Sequence, residues 1–485
     1  MIQRRKHIVA AVLPLLISGC VSTQDGFDPT FGFLQVSGDT KAALGKDTVW
    51  IQNRAQADQN RALVRSLVHQ KTISADVAVQ VAILNNSGLQ AAYADLGIAV
   101  ADLWQEGLLQ NPSIGVSLTR IGVGPTIEAV IAGNIVSFLT RERRLQIAKA
   151  RVAQAQLRAV ERTLAVGAEA RTAWIEAAAA WEQVAYLNRA KATADAAAEL
   201  ATRLGAAGSM TKAEQAREQV LYAELTGRTA EAKLAAQLAK ERLIRVMGVF
   251  GQDLEFEVPN ALPDLPGGIH ARSDIEMEAV RNRVDLRLAR LELETLAESY
   301  GLTQATRYLS DLELGGGIEA EREVEEEEDG TETATTEVSG ILEASYEIPI
   351  FDSGQARLRK AEFEYMRSAN LLGEQAVNAR SEARSAYQAY RSTYDIAKHY
   401  RSSVLPLRRV IEEEGLLTYN GMITNTFDLL TDTRERINSN ILALNAKRAF
   451  WLAEAGLTSA VYGGGEASAE PESEAAEAGG EADED

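Results

Sequence analysis

Apolar residues recur at helical spacing over most of this chain, in unusually long runs. The pattern predicts helices over 74–110, 140–204, 212–247, 273–308, 354–415 and 425–461. No proline lies between Pro125 and Pro259 or between Pro349 and Pro406, so the longest runs can continue unbroken. At a rise of about 1.5 Å per residue, the runs 140–204 and 354–415 would each reach about 90–100 Å. Their apolar positions are mostly alanine, which buries little area, so these helices need neighbours along their whole length.

Short segments between the helical runs alternate apolar with polar residues, which is typical of strands with one apolar face. The alternation predicts strands near 113–121, 126–136, 309–319 and 338–350. Four short strands cannot close a barrel, and an open sheet in a membrane would expose unpaired backbone groups. Two arrangements remain: a small soluble sheet packed on helices, or a transmembrane barrel completed by other copies. Alternation of apolar outward and polar inward residues favours the shared barrel, for which three chains would supply twelve strands, an even number.

The second half of the chain repeats the first. With a shift of 213 residues, the segment 169–174 (EARTAW) falls on 382–387 (EARSAY). Other matched pairs in the same register are Phe138 with Phe351, Arg144 with Arg357, Leu204 with Leu417, and Gly208 with Gly421. The chain is therefore predicted to contain an internal duplication, with repeat 1 over 71–260 and repeat 2 over 273–462. A connector rich in proline and glycine, 261–272, joins the two repeats.

The amino terminus has the pattern of a secretory signal. Basic residues at positions 4–6 precede an apolar run, 8–17, that is followed by Ser18, Gly19 and Cys20. Residues 16–20 resemble the bacterial lipobox, which implies a signal peptide over 1–19 and palmitate-type lipidation of Cys20, the only cysteine of the chain. An ordinary signal peptide that happens to contain a cysteine is the alternative. Residues 20–70 show little periodicity and are predicted to form an extended, poorly structured lead.

Composition excludes several function classes. A single cysteine rules out a disulfide framework and a cysteine-based zinc site, and four scattered histidines argue against a metal centre. A net charge of −19 argues against nucleic acid as a partner. Most of that charge lies in 319–332, predicted to be an acidic loop joining two strands, and in the acidic tail 463–485, predicted to be disordered. No phosphate loop or catalytic motif is present, so neither an enzyme nor a cofactor is expected.

Two longer motifs give the chain a family likeness. The first is the segment 346–354 (YEIPIFDSG), and the second combines Leu405-Pro406 with the segments 419–421 (YNG) and 428–430 (DLL). Because these motifs occur in this order on a duplicated chain, residues 71–461 resemble the TolC-like outer-membrane efflux proteins. The weaker segments 82–86, 107–112 and 283–287 add to the resemblance.

The resemblance implies a mainly α protein with a β-barrel: a homotrimer whose chains share a twelve-stranded transmembrane barrel above a long α-helical tunnel. It implies an outer-membrane channel of a tripartite efflux or type I secretion system in a Gram-negative bacterium. Such a channel conducts substrate passively from an inner-membrane pump and a periplasmic adaptor to the exterior. It would be lipid-anchored and extend into the periplasm. The alternative function is a lipid-anchored periplasmic coiled-coil scaffold without a pore.

The resemblance also implies roles for matched residues. The periplasmic aperture would include Tyr419, Asp428 and Asp432, and three copies of each acid would favour cations. The adaptor would dock at helical turns that contain Gly205, Gly208, Ser209 and Gly421. These glycines could instead serve only to end helices. The strand-to-helix junction of the second half would contain Pro349, Phe351 and Gly354. The corresponding segment of the first half, 135–139, lacks the proline, so its junction is expected to differ.

Overall fold

The computed structural model describes residues 30–121, 124–269, 271–308, 312–326, 332–421 and 426–463. The predicted signal peptide, Cys20 and the acidic tail from residue 464 onward lie outside this range. The chain divides into two compact units. The sheet unit contains the described residues of Leu96–Val152 and Leu302–Gln355 together with residues 30–32. The helical unit contains Phe33–Asp95 and the described residues of 153–301 and 356–463.

Helices form most of the described chain. In order they are α1 (Phe33–Leu44), α2 (Arg54–Val68), α3 (Ala75–Asn85), α4 (Ser87–Gly107), α5 (Ile135–Ala206), α6 (Lys212–Met247), α7 (Ile275–Asn282), α8 (Val284–Ala305), α9 (Gln355–His399), α10 (Leu405–Asn420) and α11 (Thr426–Tyr462). A short π-helical segment, Tyr400–Val404, joins α9 to α10. The 72 residues of α5 make it the longest element, and its span agrees with the prediction of one uninterrupted helix there.

The four strands form one antiparallel sheet in the order β1-β2-β3-β4. They are β1 (Ser113–Ile121), β2 (Gly124–Asn134), β3 (Leu312–Glu326) and β4 (Glu332–Tyr346). The inner pair joins the two halves of the chain, since β2 lies beside β3 with Glu128 opposite Glu319. Each half therefore contributes one hairpin, as the repeat predicts.

The prediction of an extended lead over 20–70 is wrong for the part that the structure describes, where α1 and α2 form. Asn53 caps α2 by accepting a hydrogen bond from the backbone N–H of Gln56, and the helix buries Asn60, Val64 and Val68. These three positions recur every four residues, so they form a narrow stripe on an otherwise polar helix. The surrounding polar residues hid that stripe in the sequence, and the helix depends on packing against its neighbours.

Three predicted helices are interrupted. The run 74–110 breaks at Asn86 and the run 273–308 breaks at Arg283, because the residues at both breaks bind the ends of other helices. The run 354–415 contains the π-helical segment just before Pro406. Proline has no N–H to donate to the preceding turn, and a local π-bulge adjusts the hydrogen-bond register around it.

The prediction of a disordered acidic loop over 319–332 is also wrong for most of its length. The β3–β4 ladder continues to the pair Glu326 and Glu332, well beyond the predicted strand ends. Backbone hydrogen bonds of the ladder outweigh the repulsion between neighbouring carboxylates, which water screens. At its other end β4 stops at Tyr346, so Pro349 and Ile350 lie outside the strand.

Aromatic and polar side chains bind the connector to the helical unit. Leu262 donates its N–H to Glu182 over 2.9 Å, and the indole N–H of Trp451 donates to the Pro263 carbonyl over 3.0 Å. The Tyr394 hydroxyl donates to the Pro266 carbonyl over 3.1 Å. These side chains therefore pair three backbone groups of a segment whose described residues form neither helix nor strand.

Candidate functional site

The sheet has one apolar face, and that face is exposed. Ile114, Val116 and Leu118 of β1 are 70–72% exposed, and Leu342 of β4 is 89% exposed. The register aligns this face across all four strands, with Leu118 opposite Ile127, Ile127 opposite Ala320 and Ala320 opposite Val338. A soluble sheet would cover such a face with helices. Within the described chain this face remains open to its surroundings.

The opposite face carries a polar row that crosses the whole sheet. Ser117, Glu128, Glu319 and Ser339 are consecutive partners across the four strands. Each glutamate has a serine hydroxyl beside it: Ser117 donates to Glu128 over 2.9 Å and Ser339 donates to Glu319 over 3.4 Å. Two carboxylates directly opposite each other repel, and the flanking hydroxyl donors offset part of that cost. The row is suited to contact with water and cations.

The turn between α5 and α6 closes with a Schellman motif. Gly208 has a left-handed backbone, with φ of +75°. Its N–H donates to the Gly205 carbonyl over 3.0 Å, while the Ser209 N–H donates to the Leu204 carbonyl over 2.9 Å. The side chain of Gln215 packs directly over Gly205, in the space that a β-carbon there would occupy. Gly205 and Gly208 therefore both have a role within the turn itself.

The start of α6 is firmly capped. Thr211 and Glu214 form a capping box in which the Thr211 N–H and hydroxyl donate to the Glu214 carboxylate over 2.9 and 2.8 Å. These hydrogen bonds, from the Thr211 backbone and then from its side chain, lower the pKa of Glu214. The turn predicted to bind an adaptor is thus closely defined by its own sequence.

Helices α6 and α11 run parallel. Arg434 lies 3.4 Å from Glu224, and Arg228 donates to Asn438 over 3.3 Å, so both contacts join residues 210 positions apart. Because the offset is constant, the starts of the two helices lie at the same end of the helical unit. The two turns singled out by the sequence, at 204–209 and at 417–421, are therefore neighbours in space.

The predicted aperture residues lie on the hairpin of α10 and α11. Asp428 is exposed in the first turn of α11, and Asp432 is half-buried one turn later. Oδ2 of Asp432 would lie 3.6 Å from a β-carbon added at Gly415 on α10. Position 419 is in the last turn of α10, but its side chain lies outside the described part. Gly421 donates its N–H to the Leu417 carbonyl over 2.9 Å and ends α10.

Ion pairs join the two helices of this hairpin farther from its turn than the predicted aperture residues. Arg408 lies 2.5 Å from Glu435 and donates to Ser439 over 3.1 Å, and Arg436 pairs with Glu412. These contacts and the Gly415–Asp432 approach share one antiparallel register. Extended to the helix ends, that register sets position 419 level with Asp428. The structure therefore brings the predicted aperture positions together on one hairpin.

The two strand-to-helix junctions differ, as the missing proline predicts. In the first half, β2 runs directly into α5, and Asn134 caps the helix by accepting from the Ser137 N–H over 2.9 Å. In the second half, an irregular segment that contains Pro349 and Phe351 separates β4 from α9. It ends at Gly354, which has φ of +72° and donates its N–H to Asp352 over 2.8 Å.

Sequence reasoning did not predict what the helix breaks do. Asn85 donates to the Gly248 carbonyl over 2.7 Å, and Asn86 donates to the Val246 carbonyl over 3.0 Å. Both side-chain amides therefore donate to carbonyl oxygens at the end of α6, where the helix itself supplies no further N–H donors. The only sequence signal was the pair of adjacent asparagines in the weak family motif 82–86.

At the second break, between α7 and α8, the charged guanidinium of Arg283 binds the end of a helix, where the first break has a side-chain amide. Arg283 binds Asp285 over 2.7 Å and Glu382 over 2.5 Å, and it approaches the Ala460 carbonyl of α11 at 3.5 Å. Burial opposes the charge on Arg283, but the hydrogen bonds to the two carboxylates outweigh it and raise the pKa of the guanidinium. This network fixes the end of α11.

A buried carboxylate also escaped prediction. Glu218 of α6 is 8% exposed and begins the buried stripe that continues with Leu221 and Leu225. Burial raises the pKa of Glu218, and the nearby Arg434 partly opposes that effect. The parallel register of α6 and α11 sets Glu218 level with Asp428. An ionisable group therefore lies in the apolar seam close to the predicted aperture.

The described residues contain no group of three or more His, Cys, Asp or Glu side chains placed to hold a metal ion. Among the helices described, none combines the length and the apolar character needed to cross a membrane.

Comparison with known proteins identifies the fold. No protein-family model matches the sequence, and no curated protein matches it. Solved structures do match. The Campylobacter jejuni CmeC outer membrane channel shares 16% identity at a TM-score of 0.66, with 80% of this chain and 86% of that chain covered. The outer-membrane channel OprN shares 17% identity at a TM-score of 0.62, covering 88% and 96%. The outer membrane protein VceC from Vibrio cholerae shares 16% identity at a TM-score of 0.63, covering 83% and 96%. The chain thus has the fold of these outer-membrane proteins, and the predicted fold of long helices with a four-stranded sheet is confirmed.

Proposed function

We propose that this protein is the outer-membrane channel of a tripartite efflux or type I secretion system in a Gram-negative bacterium. One observation carries the proposal: a sheet with an exposed apolar face, a polar opposite face and two open edges. Within the described chain, β1 and β4 each have a neighbour on one side only. A membrane tolerates a sheet only when every edge is paired, so β4 of one copy must meet β1 of the next. Three copies give a closed barrel of twelve strands.

The strand lengths support a transmembrane role. β1 has 9 residues and β2 has 11, which matches the 9–11 residues of a tilted strand that crosses a bilayer. β3 and β4 have 15 residues each and continue past the apolar band as acidic segments. The fold shared with outer-membrane channels supports the same role. A channel of this kind conducts its substrate passively and performs no catalysis.

The remaining assembly follows from the proposed role. An inner-membrane pump supplies the energy, and a periplasmic adaptor joins it to the turns that contain Gly205, Gly208, Ser209 and Gly421. The close packing within the first turn leaves small residues at its surface, which suits contact with a partner hairpin. Lipid on Cys20 would hold the amino terminus at the outer membrane. Replacement of Cys20 by Ser should abolish incorporation of labelled palmitate, and unchanged incorporation would contradict lipidation.

Conductance tests the channel directly. The detergent-extracted protein should run as a heat-modifiable homotrimer from outer-membrane fractions and should conduct ions in planar bilayers. A monodisperse monomer without conductance would contradict the channel and favour a coiled-coil scaffold. A low-resolution image of the extracted particle gives an independent check, since a barrel of three sheets on a helical tube differs plainly from a rod.

A further inference from the structure

The first turns of α6 place a carboxylate among apolar side chains. Glu218 lies on the buried stripe of this helix, three residues before Leu221 and seven before Leu225. Both leucines belong to one buried cluster with Leu430, which lies in the first turns of α11. Glutamate is rarely this buried in a folded protein, because its charge is costly to remove from water. We call this contact between α6 and the start of α11 the seam.

Charged side chains surround Glu218 on all three helices that meet at the seam. Gln215 packs over Gly205, and the antiparallel register of α5 and α6 continues from there to set Glu218 level with position 202. The charged neighbours are Glu214, Arg217 and Glu224 on α6, Asp428 and Arg434 on α11, and Glu199 and Arg203 on α5.

These neighbours leave the charge of Glu218 poorly compensated. Glu199 and Arg203 pair with each other over 2.5 Å, and Arg434 lies 3.4 Å from Glu224. Burial raises the pKa of Glu218, and Arg434 opposes only part of that rise. The protonated side chain therefore fits the seam better than the ionised one.

Separation of α11 from α6 would expose Glu218 to water and return its pKa to the ordinary range of glutamate. By linkage, the packed seam is fully favoured at pH values below that ordinary pKa. The advantage is lost as the pH rises through the raised pKa of the packed state. Acid thus holds α11 against α6, and neutral pH loosens it.

The hairpin of α10 and α11 can follow this change as one piece. Arg408 of α10 binds Glu435 of α11 over 2.5 Å, which joins the two helices to each other. Toward α6, the Arg434 and Glu224 side chains are 47% and 49% exposed. An ion pair this exposed contributes little to stability, so the buried seam decides how closely the hairpin approaches α6.

We propose that Glu218 is a pH sensor of the aperture: its protonation holds the α10–α11 hairpin against α6 and narrows the pore, and its ionisation releases the hairpin. This inference rests on the proposed function, because it requires the hairpin to line a pore. The sensor differs in kind from a carboxylate within the pore. A pore carboxylate sets which ions pass, whereas Glu218 sets the fraction of time for which the pore is open.

Hydrogen–deuterium exchange of the full-length protein in detergent tests the seam independently of conduction. Parent and Glu218→Gln are compared at about pH 8 and at about pH 4, above and below the ordinary pKa of glutamate. At a given pH both proteins share the same intrinsic exchange rate. At about pH 8 we expect residues 428–438 to exchange about threefold or more slowly in Glu218→Gln, with equal rates at about pH 4. The control Glu231→Gln, on the exposed face of α6, should match the parent throughout.

Arg434→Gln gives a second variant that should shift the response without abolishing it. Arg434 lowers the pKa of Glu218, so its removal should move the pH response to higher pH. The response is measured as the exchange of Arg434→Gln relative to the double variant that also carries Glu218→Gln. A midpoint unchanged from that of the parent would contradict the sensor, because the nearest opposing charge would then have no influence on it.

Conductance in planar bilayers connects the seam to the aperture. At about pH 8 the parent should conduct about twofold or more better than Glu218→Gln, and the two should converge at about pH 4 with equal ion selectivity. If exchange and conductance are the same for both proteins at each pH, the sensor is wrong while the channel stands. If exchange differs but the conductance ratio does not change with pH, Glu218 acts on helix packing alone and the inference is equally wrong. If neither protein conducts at any pH, the proposed function fails and the inference fails with it.

Discussion

The side-chain amide of Asn86 donates a hydrogen bond of 3.0 Å to the carbonyl oxygen of Val246, in the last turn of α6. Arg283, at the break between α7 and α8 in the second half, approaches the Ala460 carbonyl in the last turn of α11. Both residues lie at the break between two short helices, and both bind the end of a long helix. The duplication has therefore preserved a capping relationship although the chemical group changed from an amide to a guanidinium.

Loss of the asparagine cap should destabilise the helical unit. Asn86→Ala leaves the Val246 carbonyl without its side-chain donor, which should lower the free energy of unfolding by about 1–3 kcal/mol. The denaturant midpoint of the purified protein in detergent measures the effect. Asn111→Ala provides the control, since Asn111 is exposed in a loop and should be nearly neutral. Equal midpoints for the two variants would contradict the capping role.

The left-handed glycine of the first turn should be intolerant of a side chain. Gly208→Ala forces a β-carbon into a backbone with φ of +75° and should cost about 1–2 kcal/mol. Gly227→Ala is the matched control, because Gly227 is exposed in the interior of α6 with open space around it. It should be stabilising by about 0.5–1 kcal/mol. Thermal unfolding of the two variants should shift in opposite directions.

The seam between α6 and α11 should respond to pH through Glu218. Burial raises the pKa of this carboxyl, so the folded state favours its protonated form. The stability that Glu218 contributes is greatest at pH values below the ordinary pKa of glutamate, and it is lost as the pH rises through the raised pKa of Glu218. Glu218→Gln should therefore stabilise the protein at neutral pH and lose that advantage at acidic pH. Unfolding midpoints across this range measure the difference.

Glu214, four residues earlier on the same helix, supplies a control of opposite sign. Hydrogen bonds from Thr211 lower the pKa of Glu214. The stability that Glu214 contributes is therefore present at pH values above the ordinary pKa of glutamate, and it is lost as the pH falls through the lowered pKa. Glu214→Gln should therefore destabilise at neutral pH, and the difference should shrink in acid. If the stability of both variants, relative to the parent, changes with pH in the same direction, burial of Glu218 has no energetic effect.

Adjacent residues of β1 should differ sharply in their tolerance of charge. Val116→Arg puts a cation on the apolar face and should cost about 2–4 kcal/mol at the middle of a bilayer. Ser117→Arg puts the same cation on the polar face, beside Glu128, and should be tolerated. The yield of trimer in outer-membrane fractions compares the two. A similar yield for both variants would argue against an outward-facing apolar surface.

If Asp428 and Asp432 line the proposed aperture, their carboxylates should govern its ion selectivity. Replacement of both Asp428 and Asp432 by Ala removes six charges from a trimer and should reduce the preference for cations in planar bilayers. Glu231→Ala, which removes an exposed acid from α6, is the control and should leave selectivity unchanged. If the double variant keeps the cation preference of the parent, these two residues do not line the pore.

Periodicity alone was sufficient for α5 and α6, the two helices of the first hairpin. α6 spans Lys212–Met247, as the pattern predicted, because a run without proline and with apolar residues every three or four positions has no competing local structure. The alternation of apolar and polar residues predicted the strand near 113–121 equally well. The extent of β3 and β4 was not, because their acidic residues resemble a solvated loop and only pairing of the two strands reveals the ladder.

The same distinction between local and long-range contacts separates the site residues that the sequence indicated from those that it did not. Gly208 was identifiable as a turn glycine because the left-handed turn is a local property of the backbone, whereas the role of Asp428 in the aperture stays a prediction from a motif of fixed order. Glu218 and Asn86 were missed. Burial of Glu218 depends on which helix packs against α6, and the partner of Asn86 lies 160 residues away. Neither fact is encoded in nearby residues.

The sequence by itself determined what depends on neighbours along the chain: the long helices, the alternating strands, the duplication and the residue types of the turns. Tertiary structure alone decided what depends on distant segments. It set β2 beside β3, aligned α6 with α11 and capped α6 and α11 with residues from the helix breaks. It also folded Phe33–Leu44 and Arg54–Val68 into helices. The reason is physical: local hydrogen bonds and side-chain periodicity act over a few residues, whereas burial and end-capping require segments that meet only after the chain has folded.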